Sequence, residues 1–266
     1  MARSAQIGYT LALFGAAALS WSALMPPPEP DLGTQIQEAK TVLERARNAH
    51  TVHYDPALNW RILPKVSQSQ HRKDLFIAKL LPLIAEQNER VLIQRDIAET
   101  APVGSAQYNA LTHDYGLKSG ASRKALLARV DKIPESLTLA QAAIESGWGT
   151  SRFAQLGHAY FGERTYDKTV PGMDPQQATG FKVKKFHSTS GSIRSFMRTL
   201  NTHRAYRAFR ARRAALLAAG QHATGQELAT YLKSYSEIGD DYIQRILITI
   251  KANNLDDFDG IQHVDH

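Results

Sequence analysis

The chain has 266 residues, 43% of them apolar, enough to bury one sizeable core and at most a small second unit. It contains no cysteine, which excludes a disulfide framework and a thiolate metal site. A net charge of +7 favours polyanionic surroundings (nucleic acid, phospholipid or wall polymer) without choosing among them.

The N-terminus narrows that choice. Met1-Ala-Arg-Ser is a short basic start, and Ile7 to Met25 follows with no charge at all. At about 1.5 Å per residue such a helix comes close to the roughly 30 Å of a bilayer core, so residues 1–25 read as a signal anchor or a signal peptide. Trp21 and Pro26-Pro27-Pro28 look like an interfacial boundary and favour inner-membrane anchoring by residues 7–25, whereas Ser20-Trp21-Ser22 is a weak cleavage site. Either way the protein is expected in the cell envelope, anchored or exported, which makes nucleic acid the poorest partner.

Pro26 to Pro30 then forms a stiff spacer. Ile36, Ala39, Val42, Leu43 and Ala46 recur at helical spacing and predict a stalk or packing helix, within a linker region over residues 26–66. Between Gln70 and Glu99, Phe76, Leu80, Leu83, Ile84, Val91 and Ile97 mark a long helix or helix pair. Pro82 is expected to kink it, because the ring clashes with the Ala78 carbonyl. Ser122 caps a short helix carrying Leu126, Leu127 and Val130. Pro134 opens a helix that runs to about Glu145 and stops at Gly147. Gly162 to Ser188 holds Pro171, Gly172, Pro175 and Gly180, then the alternating run Phe181 to Phe186, and reads as an irregular loop with one or two short strands. Helices resume near Ser190, with Ile193, Phe196, Met197 and Leu200 on one side. Thr224-Gly225-Gln226-Glu227 is a capping box, and Asp240 or Asp241 starts a last helix with Ile243, Leu247 and Ile250 inward. The predicted fold class is therefore mainly α, a helical bundle around the helix that ends at Glu145, with a small β-hairpin or irregular lobe. Residues 258–266 read as a flexible tail.

The chemistry concentrates in Leu139 to Ala154 and Gly157 to Gly162. On the helix opened by Pro134, Thr138, Gln141 and Glu145 share a polar stripe. Glu145 leaves the helix at its last turn, where unpaired carbonyls disfavour an anion, and Trp148, Phe153, Tyr160 and Phe161 follow as a candidate apolar wall. Both effects raise its pKa. A carboxylic acid that keeps its proton near neutral pH is what glycoside cleavage needs, because the departing alkoxide is protonated as the bond breaks. Ala142, Ala143, Gly147 and Gly149 leave room for a polymer to approach. From spacing alone, a surface acid before an ordinary glycine C-cap is the better-favoured reading.

Ala142-Ala-Ile-Glu-Ser-Gly-Trp-Gly, followed by Gly-x-x-x-Phe-Gly, resembles the catalytic segment of the bacterial N-acetylglucosaminidases of the lysozyme-like superfamily, the group that includes the flagellar rod-cap muramidase domain; it looks most like the Bax type. The resemblance runs from about Ser67 to Leu255, taking in Leu80 to Ile84, Leu200 to Tyr206 and Tyr235-Ser236, so a lysozyme-like glucosaminidase domain is expected over residues 67–257. It implies hydrolysis of peptidoglycan glycan strands after N-acetylglucosamine, with the matching Glu145 as general acid. It also places an aromatic hydroxyl near the bound sugar, at Tyr235, whose other reading is to pack a helix end. Trp148, Tyr160 and Phe161 are expected to stack on sugars, core packing being the alternative for at least one of them. A lytic transglycosylase and a wall-binding scaffold without catalysis remain rival readings.

Two departures from the family pattern matter. His158, Ala159 and Tyr160 replace the usual Asn-Asn-Leu before Phe-Gly, so His158 is a candidate for an altered substrate contact. Several relatives carry a second acid in a β-hairpin, yet Phe181 to His187 contains no carboxylate, leaving Glu163, Asp167 and Asp174 as nearby candidates. Arg204, Arg207, Arg210, Arg212 and Arg213 crowd one helix and read as a solvated face or, alternatively, a patch for wall polymer or anionic lipid. The ten histidines form no HExxH, and there is no phosphate loop or nucleophile elbow, so neither metal nor cofactor is expected.

Overall fold

The computed structural model describes residues 31–55, 58–176, 180–236 and 239–264. The anchor or signal segment expected over residues 1–25, and the proline-rich spacer after it, lie outside the described residues. Among those described, no helix is long and apolar enough to cross a membrane.

The fold is mainly α, as the lysozyme-like reading requires. Helix α1 (Leu32–Ala49) starts where the Asp31 carboxylate accepts from Thr34 N at 3.1 Å and ends where His50 turns left-handed. Its Ala39, Val42, Leu43 and Ala46 belong to the main core, packed on α2 (Ser69–Thr100). Of the two readings of this segment, stalk or packing helix, its contacts are those of a packing helix, and it belongs to the same compact unit as the residues after it. Between them lies strand β1 (Thr51–Val52).

Helix α2 is one continuous element through Pro82, and every residue from Leu75 to Ala85 is buried. A helix apolar all round belongs at the centre of a bundle. At its far end a second, smaller core gathers Ala98, Tyr108, Leu111, Leu126 and Val130, the last four on or next to α3 (Ala106–Asp114) and α4 (Arg123–Leu127). The Arg123 guanidinium donates to the Ala98, Glu99 and Ala101 carbonyls, satisfying acceptors that the end of α2 leaves open.

The second central helix, α5 (Glu135–Ser146), packs on α2 and is followed by three consecutive residues with positive φ, Gly147, Trp148 and Gly149. Gly149 cannot be exchanged freely, since a Cβ there would lie 2.7 Å from Leu63 Cδ1. The turn leads into α6 (Arg152–Gly157) and a three-stranded antiparallel sheet in the order β2 (Arg164–Thr165), β4 (Lys182–Lys184), β3 (Gly172–Met173). The chain then forms α7 (Thr189–Thr202), α8 (Arg207–Ala218), α9 (Gly225–Ala229) and α10 (Asp240–Ala252). The N-terminus of α9 sits directly on α5: a Cβ at Gly225 would overlap Ser136 Oγ and stand 2.8 Å from the Leu137 backbone nitrogen. Gly225→Val should therefore cost about 3 kcal/mol by overpacking, read as a lower urea midpoint with unchanged slope.

Residues expected as a flexible tail are instead built in. Phe258 and Ile261 enter the core, and β5 (Gln262–His263) pairs in parallel with β1. Asp259 accepts from Ser136 N and Oγ, each at 2.8 Å, and from Gly225 N at 3.1 Å. The arginine stripe on α8 is also not a solvated face throughout. Arg210 donates to the Leu200 and His203 carbonyls, Arg213 to those of Asp131 and Lys132, and both are buried, while Arg212 pairs with Glu227. Buried guanidinium groups that bridge carbonyls hold α7 and α8 to the core and are spent as partners for an external polyanion.

Candidate active site

Glu145, in the last turn of α5, lines a groove of about 890 Å³. The β-sheet side of this groove supplies Gly162, Glu163, Arg164, Tyr166 and Lys184; the helical side supplies Phe196, Thr199, His203, Tyr206 and Ser234 to Ser236. Gly162, at φ +62, runs so close to the carboxylate that a Cβ would lie 3.1 Å from Glu145 Oε2. Its lack of a side chain keeps that oxygen open.

Burial raises the Glu145 pKa above the ordinary carboxylate value, against the opposing effects of the Tyr242 hydroxyl and the Arg164 charge. Of the four aromatic residues expected as an apolar wall, Phe161 lines the groove. Phe161 stacks on Phe196 with centroids 4.1 Å apart, and Tyr235 stacks on Tyr242 at 5.5 Å. The Tyr235 hydroxyl donates to the Phe161 carbonyl at 2.8 Å, fixing the groove's two sides to each other. Behind Glu145, Gln141 Nε2 donates to the Tyr242 hydroxyl at 3.0 Å.

Three expected substrate contacts fall elsewhere. Tyr160 is 1% exposed and packs toward Phe76, so it serves the core and cannot stack on a ligand. Trp148, turned by its positive φ, meets Phe76 edge-on at 5.4 Å with the Lys73 ammonium over its ring, outside the Glu145 groove. His158, also at positive φ, faces Thr189 Oγ1 at 3.3 Å in a separate hollow with Tyr54, His187 and His263. Phe161 and Tyr235 do line the groove. Of the three candidate second acids, only Glu163 lines it: Oε2 accepts from Lys184 Nζ at 3.0 Å and Ser195 Oγ at 2.8 Å, while Oε1 is buried without a partner. Asp167 closes its own turn onto Thr169, and exposed Asp174 stands 3.6 Å from Lys182.

Residues 122–255, which contain every element of this groove, match the family described as Mannosyl-glycoprotein endo-beta-N-acetylglucosaminidase. The chain is also 33% identical over 192 residues to Protein bax of Escherichia coli strain K12, covering 68% of this chain and 69% of that protein. The chain belongs to the glucosaminidase family. No solved structure matches it. Membership makes it a glycosidase-type protein of the Bax-type branch.

In this member of the glucosaminidase family, sequence reasoning overlooked Tyr242 and Tyr166. Tyr242 shares the inward stripe of Ile246 and Ile250 on α10, so its burial was readable from periodicity; its place behind Glu145 was not. Tyr166 carries no local signal beyond its position after β2. A second hollow of about 340 Å³ between α2 and α7 is lined by Arg90, Arg194 and Arg198 and has no carboxylate in its wall, which sets it apart from acid chemistry.

Proposed function

We propose that this protein is a peptidoglycan hydrolase, an endo-beta-N-acetylglucosaminidase that cuts the glycosidic bond after N-acetylglucosamine with Glu145 as general acid. The observation that carries the reading is a half-buried carboxyl group, its pKa raised by that burial, lining a groove large enough for more than one sugar. The proton passes from Glu145 to the glycosidic oxygen as its bond to the anomeric carbon breaks, so the alcohol departs uncharged. Water then adds at the anomeric carbon, and the proton it gives up returns through solvent to the Glu145 carboxylate. Tyr235 supports the site by holding the Phe161-Gly162 segment against which the carboxylate rests.

The state of Glu163 favours a second reading. One of its oxygens, Oε2, is already taken by Lys184 and Ser195, which leaves only the buried Oε1 to hold a water. A lytic transglycosylase dispenses with that base: the muramyl hydroxyl closes on its own anomeric carbon, and the Glu145 carboxylate takes back the proton. Mass spectrometry of purified sacculi treated with the full chain separates the two. Reducing N-acetylglucosamine ends support the hydrolase and anhydromuramyl ends the transglycosylase. Release no greater than that of Glu145→Gln, with binding intact, leaves only a wall-binding scaffold.

Tyr242→Phe gives a pH test. The hydroxyl lowers the Glu145 pKa, so its removal raises that pKa further and moves the alkaline limb of kcat/KM to higher pH. The same change leaves Gln141 Nε2 without its acceptor and should cost about 1–2 kcal/mol of stability. An unmoved limb would separate Tyr242 from the acid.

A further inference from the structure

Tyr166 is 74% exposed, more than any other large apolar or aromatic side chain among the described residues. A single exposed aromatic is ordinary on a protein surface. Three features set this one apart. It stands on the rim of the Glu145 groove rather than on an open face. Strand alternation puts it there: Thr165 points inward and is buried, so Arg164 and Tyr166 project together to the other side, where both line the groove. Its ring is also braced, meeting Phe181 edge-on with centroids 6.1 Å apart, while the Arg164 guanidinium covers the Phe181 ring at 4.5 Å. The edge contact fixes the orientation of the Tyr166 ring, and its exposure leaves a face open to a ligand.

We infer that Tyr166, braced by Phe181, is a stacking platform for a pyranose ring of the glycan strand at a subsite separate from the bond being cut. The inference rests on the glycan-cleaving reading of the groove. A flat, oriented aromatic face matches the apolar C–H face of a β-linked N-acetylhexosamine, and little side-chain entropy remains to be lost on binding. The volume of about 890 Å³ lies toward the upper end of the ~300–1,000 Å³ usual for ligand pockets, so a sugar on Tyr166 and another beside Glu145 fit one continuous site. The platform acts on specificity: it contributes to the binding of long strands and leaves the chemistry at Glu145 alone.

The test is calorimetric titration of β-1,4-linked N-acetylglucosamine oligomers of increasing length into the full chain carrying Glu145→Gln, which prevents turnover. Affinity should rise with length. Tyr166→Ala, added to that background, should lower affinity for the longer oligomers about fivefold to tenfold and leave the shortest unchanged, and Tyr166→Phe should stay within about twofold. Equal thermal unfolding of the three proteins ties any loss to the ring rather than to folding. Identical binding by Tyr166→Ala and its parent at every length overturns the platform while the glycan reading stands. Binding of no oligomer by the parent removes both.

Discussion

Glu145→Gln should lower kcat on sacculi by about 10²-fold to 10⁴-fold, the range a positioned general acid contributes, with little change in KM. The substitution keeps shape and hydrogen-bonding capacity and removes only the transferable proton, so a loss confined to kcat reports that proton. The pH profile provides an independent sign. The active form of Glu145 is the protonated one, and burial raises its pKa above the ordinary carboxylate value against the lowering effect of the Tyr242 hydroxyl. Activity should therefore persist above the pH at which a solvated glutamate has ionised, and then fall as the pH passes the raised pKa. Residual activity of the Gln variant should show no such limb. A variant as active as the wild type would remove Glu145 from the chemistry altogether.

The parts of the molecule legible in the sequence are those set by local rules. Pro134 and Gly147 bracket α5 as opening and stop signals, Ser122 and Thr224 cap their helices, and the apolar spacing in α1, α2, α7 and α10 finds the faces that are buried. Periodicity shows that a face is covered but not by what. For that reason α1 read as a stalk or packing helix and residues 258–266 as a flexible tail, although α2 receives the first, and Glu135 and β1 receive Gly260 and Gln262–His263 of the second. Arg213 read as solvent-facing because its carbonyl acceptors, at Asp131 and Lys132, lie about 80 residues earlier in the chain. The site shows the same limit. Glu145 stood out through its helix end and the Glu-Ser-Gly-Trp-Gly motif. The aromatic residues nearest to it in sequence proved a poor guide to its wall, because the successive positive-φ residues from Gly147 to Gly149 turn Trp148 toward Phe76, and the left-handed His158 sends its own side chain into another hollow. Tyr235 and Tyr242 reach the acid from almost a hundred residues downstream, a pairing that no local pattern encodes.

Glu135→Gln should flatten the dependence of stability on pH between about pH 4.5 and 7. Glu135 sits in the first turn of α5, where the helix dipole favours an anion, and its oxygens accept from Asn88 Nδ2 at 2.8 Å and Gly260 N at 2.9 Å, which also favour the anion. Burial outweighs these effects. The residue is 2% exposed, the Asp259 carboxylate stands near, and its pKa is pushed up to about 7 from 4.5. The folded state thus binds this proton more tightly than the unfolded chain, so the associated stability is complete below about pH 4.5 and lost as the pH rises through 7. At about 1.4 kcal/mol per pH unit the loss comes to roughly 3 kcal/mol. Asp259, raised by its own burial, adds in the same direction. Urea midpoints across this range should fall for the wild type and stay nearly level for the Gln variant, whereas Glu135→Ala should be weakened at every pH because Asn88 and Gly260 lose their acceptor. A Gln variant with the wild-type slope would move the effect to other groups. Since burial raises the pKa of a glutamate at each end of α5, stability and activity should decline together as the pH rises. Glu135→Gln separates them: the stability slope should disappear while the alkaline limb set by Glu145 remains.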